Sequence, residues 1–230
     1  MYQINEFEQR ELLDVALADK VAAILTAAVE SKGKASIAVS GGSTPKGFFQ
    51  ALSKKKLAWQ AITITLADER WVDIASSDSN TKLVHENLLQ NEAVNANFFH
   101  LKQGDSLNTE ILADLNLAAN QQLLPLDVLI LGMGEDGHTA SLFPCSDEIT
   151  QCLATDSAAL IKVTPKSAPY QRISFSFAAL SQSKNTFLHI SGASKKQVLA
   201  TAIAGQECRE MPIRAFLQAP DVNTQVYWAL

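Results

Sequence analysis

Asp-Val-Leu-Ile-Leu-Gly-Met-Gly-Glu-Asp-Gly-His, residues 127–138, is the stretch on which the fold turns. Its first half is a continuous apolar run without the polar alternation of a half-exposed strand. Such a run belongs to a strand buried on both faces, which is the habit of parallel sheets. Its second half places glycines at 132, 134 and 137, directly past the strand. Glycine lets the backbone turn tightly and approach a ligand closely. In an open parallel sheet, ligands sit beyond the carboxyl ends of the strands.

Working outward, the same grammar repeats. Residues 35–40 and 62–67 are short β-branched or apolar runs and read as strands, as do 160–163, 173–177 and 186–190. Residues 98–101 form a candidate short strand and 226–229 a last edge strand. Helical spacing appears over the first 30 residues, after Pro45, and over about 81–90, 111–124 and 194–204. Residues 103–108 and 146–157 read as loops. Strands that alternate with helices predict an α/β fold with an open, mostly parallel, doubly wound (Rossmann-like) sheet flanked by helices. No linker, repeat or low-complexity tract interrupts the chain, so one domain over residues 1–230 is expected.

Composition narrows the function. Apolar residues make up 47% of the 230 and charged residues 19%, a globular balance that excludes disorder, coiled coil and collagen. The net charge of −5 does not favour a nucleic-acid surface. Cys145, Cys152 and Cys208 are odd in number and have neither disulfide nor zinc spacing, which points to a reducing, cytoplasmic setting. The N-terminus lacks the basic start and apolar centre of a signal peptide, and no apolar run reaches the roughly 18 residues of a membrane span. Neither a membrane nor a nucleic-acid partner is expected.

Four unusual segments leave predicted strands at their carboxyl ends: 40–45, 68–70, 132–138 and 192–195. The first, Ser-Gly-Gly-Ser-Thr-Pro, suits an anion at a helix start. Gly41 and Gly42 make the turn, Ser43 or Thr44 caps, and Pro45 takes the first helical position. A plain capped helix explains it equally well on its own. Gly132–Gly137 matches G-x-G-x-x-G, but Pro144 cuts short the helix a dinucleotide fold needs, and the next strand ends without an acid. The glycines fit a tight loop that presents Glu135, Asp136 and His138. A neutral imidazole there can take a proton from water, with a carboxylate to orient it. His85, His100 and His189 read as structural. Arg70, after Asp68 and Glu69, is either a site cation or a surface ion pair. Lys195 reaches a phosphate or is a solvated helix lysine, and Arg172 fits either role. No H-e-x-x-H metal spacing or G-x-S-x-G elbow occurs, and the S-x-x-K at 79–82 lacks its companion motifs. The residues point to metal-free acid–base chemistry on a small phosphorylated molecule, with no cofactor.

The set Ser-Gly-Gly-Ser-Thr-Pro (40–45), Ala-Asp-Glu-Arg-Trp-Val (67–72), Ser-Asn (79–80) and Gly-Met-Gly-Glu-Asp-Gly-His-Thr-Ala-Ser-Leu-Phe-Pro (132–144) resembles the 6-phosphogluconolactonases of the glucosamine-6-phosphate isomerase/6-phosphogluconolactonase family. The resemblance implies hydrolysis of a phosphorylated sugar lactone, 6-phospho-D-glucono-1,5-lactone, in the oxidative pentose phosphate pathway. It implies His138 as general base, Asp136 as its support, and Arg70 and Lys195 with the 41–44 loop on the phosphate or the developing charge. Asp68 and Arg172 join them as substrate-binding positions. Asp73 departs from the family's usual proline, and Lys-Ser-Ala-Pro-Tyr-Gln (166–171) from its proline-rich run. The runner-up is a glucosamine-6-phosphate deaminase, in which a tyrosine tends to follow Asp-Glu and Asn-Glu-Pro the histidine loop. Arg70 and Leu142-Phe143-Pro144 stand at those places here. A sugar-phosphate sensor without turnover is the third reading; it would keep the phosphate loop and lose the base.

Overall fold

A computed structural model describes residues 2–230. In chain order the strands are β1 (Tyr2–Phe7), β2 (Ala35–Val39), β3 (Ile62–Leu66), β4 (Asp68–Arg70), β5 (Asn97–Phe98), β6 (Val128–Leu131), β7 (Leu160–Val163), β8 (Arg172–Phe175), β9 (Thr186–Ser191) and β10 (Thr224–Ala229). The α-helices are α1 (Arg10–Lys32), α2 (Lys46–Ser53), α3 (Asn80–Asn87), α4 (Thr109–Gln122), α5 (Ile149–Leu153), α6 (Phe177–Leu180), α7 (Ala193–Ala204) and α8 (Ile213–Gln218).

Seven strands form one parallel sheet in the order β1-β10-β9-β6-β2-β3-β5, flanked by helices. All four residues of β6 are buried between β9 and β2, as their unbroken apolar run requires. The chain lays down β2, β3 and β5 in one direction, then returns to the far side of β2 with β6 and proceeds through β9 and β10. The order therefore reverses between β2 and β6, and the loops that leave these two strands part to open a crevice there. Gly132 N–H donates to Ser40 Oγ at 3.2 Å across that point. Beneath it, Leu13, Leu17, Val21 and Leu25 recur at helical spacing on α1 and are fully buried. The helix ends at Gly33, whose positive φ of 75° lets its N–H reach the Val29 carbonyl. Among the described residues no helix is long and apolar enough to cross a membrane.

The structure corrects several expectations. The chain does not start as one long helix: Tyr2–Phe7 is a strand, and α1 begins only at Arg10. Residues 226–229 belong to a buried inner strand, because β1 occupies the edge beside β10. That pairing joins Tyr2 to Thr224, and nothing local announces it. Asp68–Arg70 does not simply end β3. With β7 and β8 it makes a separate antiparallel sheet, β4-β8-β7, so the strands at 160–163 and 172–175 lie outside the main sheet. Residues 146–157 contain the short helix α5, the strand expected over 173–177 stops at Phe175 because Ser176 caps α6, and neither α6 nor α8 has a local signal.

At the sheet edge opposite the crevice, buried Asp127 accepts from Ser36 N–H at 2.9 Å and pairs with Lys32 at 2.8 Å and Lys184 at 3.1 Å. Burial pushes its carboxyl up, but the bonds from Lys32, Ser36 and Lys184 outweigh that and hold it below the ordinary value. A group depressed on folding stabilises the native state above its unfolded pKa and loses that effect as pH falls through the folded one. Asp127→Asn is therefore expected to cost about 1–3 kcal/mol at pH 7. The gap from wild type should narrow below pH about 4. Urea denaturation at pH 7 and pH 3.5 measures both, and equal stability at pH 7 would refute the expectation.

Candidate active site

The crevice between the β2 and β6 loops is a cavity of about 290 Å³. Gly41, Gly42, Ser43, Thr44, Asp68, Arg70, His138, Arg172 and Lys195 all line it. Of the residues expected in the site, Asp136 alone is off the wall, behind His138. The four segments chosen for their place after strands do converge, although 68–70 arrives through the small sheet.

The 40–45 loop turns at Gly42, with φ of 96°. A Cβ on Gly41 would fall on the Asn80 amide, so glycine lets the loop lie against α3. The expected cap is not formed. The helix starts at Lys46 with Pro45 in the N-cap place and no side-chain cap, which leaves Ser43 and Thr44 too early in the chain to cap it. Arg10 Nη2 instead donates to the Ser43 and Thr44 carbonyls at 2.9 and 2.6 Å, tying the loop to the start of α1.

The Asp-Glu-Arg triplet divides its labour by strand alternation. Glu69 is fully buried and points away from the cavity. It accepts from the N–H groups of Arg70, Asn80 and Thr81 and from Ser79 Oγ, all within 3.1 Å, and so anchors the start of α3. Ser79, at the N-cap, accepts from Lys82 N–H. Asp68 faces the other way, takes the Ser141 hydroxyl at 2.5 Å and lies 3.7 Å from Arg172 Nη1. Arg70 Nη1 donates to the Asp78 carbonyl at 2.7 Å.

Arg70 and Arg172 are cross-strand partners in the β4–β8 ladder. Like charges directly opposite each other are unfavourable, and here Asp68 offsets them only in part. Arg172 is buried and its Nε has no partner. Burial draws its guanidinium below the ordinary value, Asp68 opposes that, and Arg70 adds to it. It nevertheless stays charged. Two guanidiniums, one with an unsatisfied donor, on one cavity wall make a site for an anion.

The His138 loop is held by Gly134 N–H to the His138 carbonyl at 2.8 Å and by Gly137 N–H to the Gly134 carbonyl at 3.1 Å. A Cβ on Gly134 would enter the His138 ring, so the imidazole can fold back only over glycine. His138 Nδ1 lies 2.5 Å from Asp136 Oδ1, which also accepts the His138 N–H at 3.1 Å. Burial pushes the Asp136 carboxyl up, but its bonds and charge interaction with His138 prevail and hold it below the ordinary value. An Nδ1–H directed at a carboxylate leaves Nε2 as the basic nitrogen. The ring stacks on Phe143 with centroids 4.1 Å apart, and Arg172 lies over the same phenyl at 5.0 Å. The base and the buried guanidinium thus share one aromatic support. No helix follows the glycines directly. Thr139 and Leu142 form a bridge, and α5 starts only at Ile149, in keeping with the rejection of a dinucleotide fold.

Lys195, in the first turn of α7, lies 2.7 Å from Glu135 Oε1 on the same loop. His189 is buried in β9 with Nε2 3.2 Å from Asp14 Oδ1, and it also borders the cavity. His85 and His100 stack with each other beside Phe98, in a separate cluster. Among the described residues, no three His, Cys, Asp or Glu side chains are grouped as metal ligands would be. Sequence reasoning missed Asn80, Asp14 and Ser141. Asn80 and Ser141 stand inside the motifs at 79–80 and 132–144, which was their signal, and Asp14 had none.

Residues 8–228 match the family model for glucosamine-6-phosphate isomerases/6-phosphogluconolactonase. The chain is 44% identical over 225 residues to a 6-phosphogluconolactonase of Rhizobium meliloti, covering 97% of each. It is 40% identical over 232 residues to one of Neisseria meningitidis, covering 100% of each. A crystal structure of a 6-phosphogluconolactonase from Shewanella baltica OS155 superposes with a TM-score of 0.97 at 40% identity, covering 100% of this chain and 98% of that one.

Proposed function

The chain belongs to the glucosamine-6-phosphate isomerase/6-phosphogluconolactonase family, and we propose that its cavity opens a sugar-phosphate lactone with water activated by His138. The reaction is hydrolysis of 6-phospho-D-glucono-1,5-lactone to 6-phospho-D-gluconate, a step of the oxidative pentose phosphate pathway. The observation that carries the residue roles is His138, backed by Asp136, on one cavity wall with the in-register guanidiniums of Arg70 and Arg172.

His138 Nε2 takes a proton from water as the oxygen attacks the lactone carbonyl. Asp136 holds Nδ1–H and stabilises the imidazolium that forms. Arg70 steadies the charge that grows on the carbonyl oxygen. The imidazolium then returns its proton to the leaving ring oxygen. The Gly41–Thr44 backbone, Lys195 and Arg172 hold the phosphate, and Asp68 aims Arg172. We read residues 1–230 as one lactonase domain that works in the cytoplasm on a small molecule rather than on nucleic acid. The net charge of −5 and three free thiols support that setting.

Proton release from freshly generated lactone, corrected for spontaneous hydrolysis, tests the reading, with glucosamine 6-phosphate as the counter-substrate. Ammonia released at a comparable rate would overturn it. Lys195→Ala is expected to raise KM roughly 10- to 150-fold, the worth of a charge-assisted contact. δ-Gluconolactone without phosphate should be a poor substrate for wild type. Equal efficiency on both lactones would remove the phosphate from the recognition scheme.

A further inference from the structure

Tyr170 has a backbone φ of 72°. That left-handed conformation brings a Cβ too close to the backbone, and glycine is its usual occupant. Among the described residues, Asn91 and Ala140 are the other non-glycine positions with positive φ. Asparagine tolerates the region, and Ala140 sits in the His138 loop at the cavity. Tyr170 is at the end of the segment joining β7 and β8, is 45% exposed and does not line the cavity. Packing therefore does not account for it. A strained residue that persists needs a reason elsewhere in the structure.

Its hydroxyl supplies one. Tyr170 Oη donates to Asp78 Oδ2 at 2.9 Å, bridging two segments 92 residues apart. The backbone carbonyl of the same Asp78 accepts from Arg70 Nη1 at 2.7 Å. Next door, Trp71 N–H donates to the Gln171 carbonyl at 2.7 Å, so the residues that follow Arg70 and Tyr170 are also joined through the backbone. Arg70 makes no ion pair among the described residues, and the Asp78 carbonyl is the bond that directs its guanidinium. The aim of Arg70 therefore depends on where the Asp78 peptide is held. The Ser76 carbonyl, which accepts from Ser79 N–H at 3.1 Å, and the Ser76 hydroxyl, which accepts from Asp78 N–H at 3.2 Å, fix its inner side, and Tyr170 holds it through the Asp78 carboxylate from the other segment.

We propose that Tyr170 is a positioning residue for Arg70: its hydroxyl pins Asp78, and the Asp78 carbonyl aims the guanidinium into the cavity. The inference rests on the lactonase reading of Arg70. The strained backbone at 170 is what carries the phenol to the carboxylate.

The test is a double-mutant cycle on lactone hydrolysis with melting curves beside it. Tyr170→Phe removes only the hydroxyl from a half-exposed ring. It is expected to lower kcat about three- to tenfold, the worth of one hydrogen bond, with KM within about twofold. In an Arg70→Met background the same change should alter kcat by less than about twofold, because there is no guanidinium left to aim. Tyr170→Gly suits the positive φ, so it should lose the same factor in kcat yet melt no lower than wild type. Wild-type kcat in Tyr170→Phe, or an equal loss in both backgrounds, would overturn the proposal. So would a Tyr170→Gly variant that melts lower and keeps its kcat. An active wild type with any of those results leaves the lactonase reading standing; an inactive wild type removes both.

Discussion

Replacing His138 with asparagine is expected to lower kcat about 10²–10⁴-fold, the usual contribution of a general base. KM should change little, because the phosphate contacts proposed for the Gly41–Thr44 loop, Lys195 and Arg172 lie elsewhere on the wall. Asparagine fills much of the same space over Gly134 and can keep a polar contact with Asp136, so the loop should hold. What it lacks is a nitrogen that accepts a proton at Nε2 and returns it to the ring oxygen. Asp136→Asn should act in the same sense but less strongly, because it disturbs the tautomer and leaves the ring in place. His138 keeps the Asp136 carboxyl below the ordinary carboxylate value, so this acid remains ionised throughout the neutral range. Loss of rate between pH 8 and pH 6 is therefore not to be sought in Asp136. Steady-state kinetics on fresh lactone, beside a circular dichroism spectrum that shows the fold intact, make the check. Near-normal turnover in folded His138→Asn would take the base role away from this residue.

Arg70→Met is expected to cost about 10²–10³ in kcat, the scale found when one donor to a developing oxyanion is removed. Methionine keeps an unbranched apolar stem of similar reach and deletes the guanidinium. Stability should be retained or slightly raised, because the variant relieves the like-charge pairing of Arg70 with Arg172 across β4 and β8. That separation of effects makes Arg70 the sharper probe of the two. The corresponding change at Arg172 would leave buried Asp68 without its cation, and breaking a buried pair typically destabilises by about 3–5 kcal/mol. Its kinetic result would then be mixed with unfolding. Comparing kcat, KM and melting temperature of Arg70→Met with wild type decides the matter: a fall in KM-linked efficiency with unchanged kcat would move Arg70 from charge stabilisation to phosphate binding.

Much of the architecture is legible in the sequence, because it rests on local signals. An unbroken β-branched and aliphatic run such as Val128–Leu131, followed at once by glycines, favours a strand covered on both faces, and it lies between β2 and β9 as expected. Helical spacing on α1 and glycines at strand ends are likewise properties of a few consecutive residues. The rule that ligands gather at the carboxyl ends of parallel strands then turned those loops into a site, and the cavity includes residues of all four. The motif at 132–144 carried the family, since its order and length leave little room for coincidence.

Pairing was beyond the reach of local reading. β1 is a strand because β10, more than two hundred residues away, offers it a ladder, and that partner made β10 an inner strand. Asp68–Arg70 looked like a strand end, yet the β4–β8 register set Arg70 opposite Arg172 and turned Glu69 into the anchor of α3. Neighbouring residues on a strand face opposite ways, so their roles follow from which sheet the strand joins. The 2.5 Å pairing of His138 with Asp136 is local and could be anticipated from a two-residue spacing. The Ser141–Asp68–Arg172 contacts and the Tyr170–Asp78–Arg70 chain are not local. By itself the sequence determined the inner strands β2, β3, β6 and β9, the helices α1, α4 and α7 and the glycine turns, because backbone sterics and apolar periodicity act within a few residues. The tertiary structure alone decided which charged side chains meet, because that depends on strand order and register, which bring distant parts of the chain within hydrogen-bond reach.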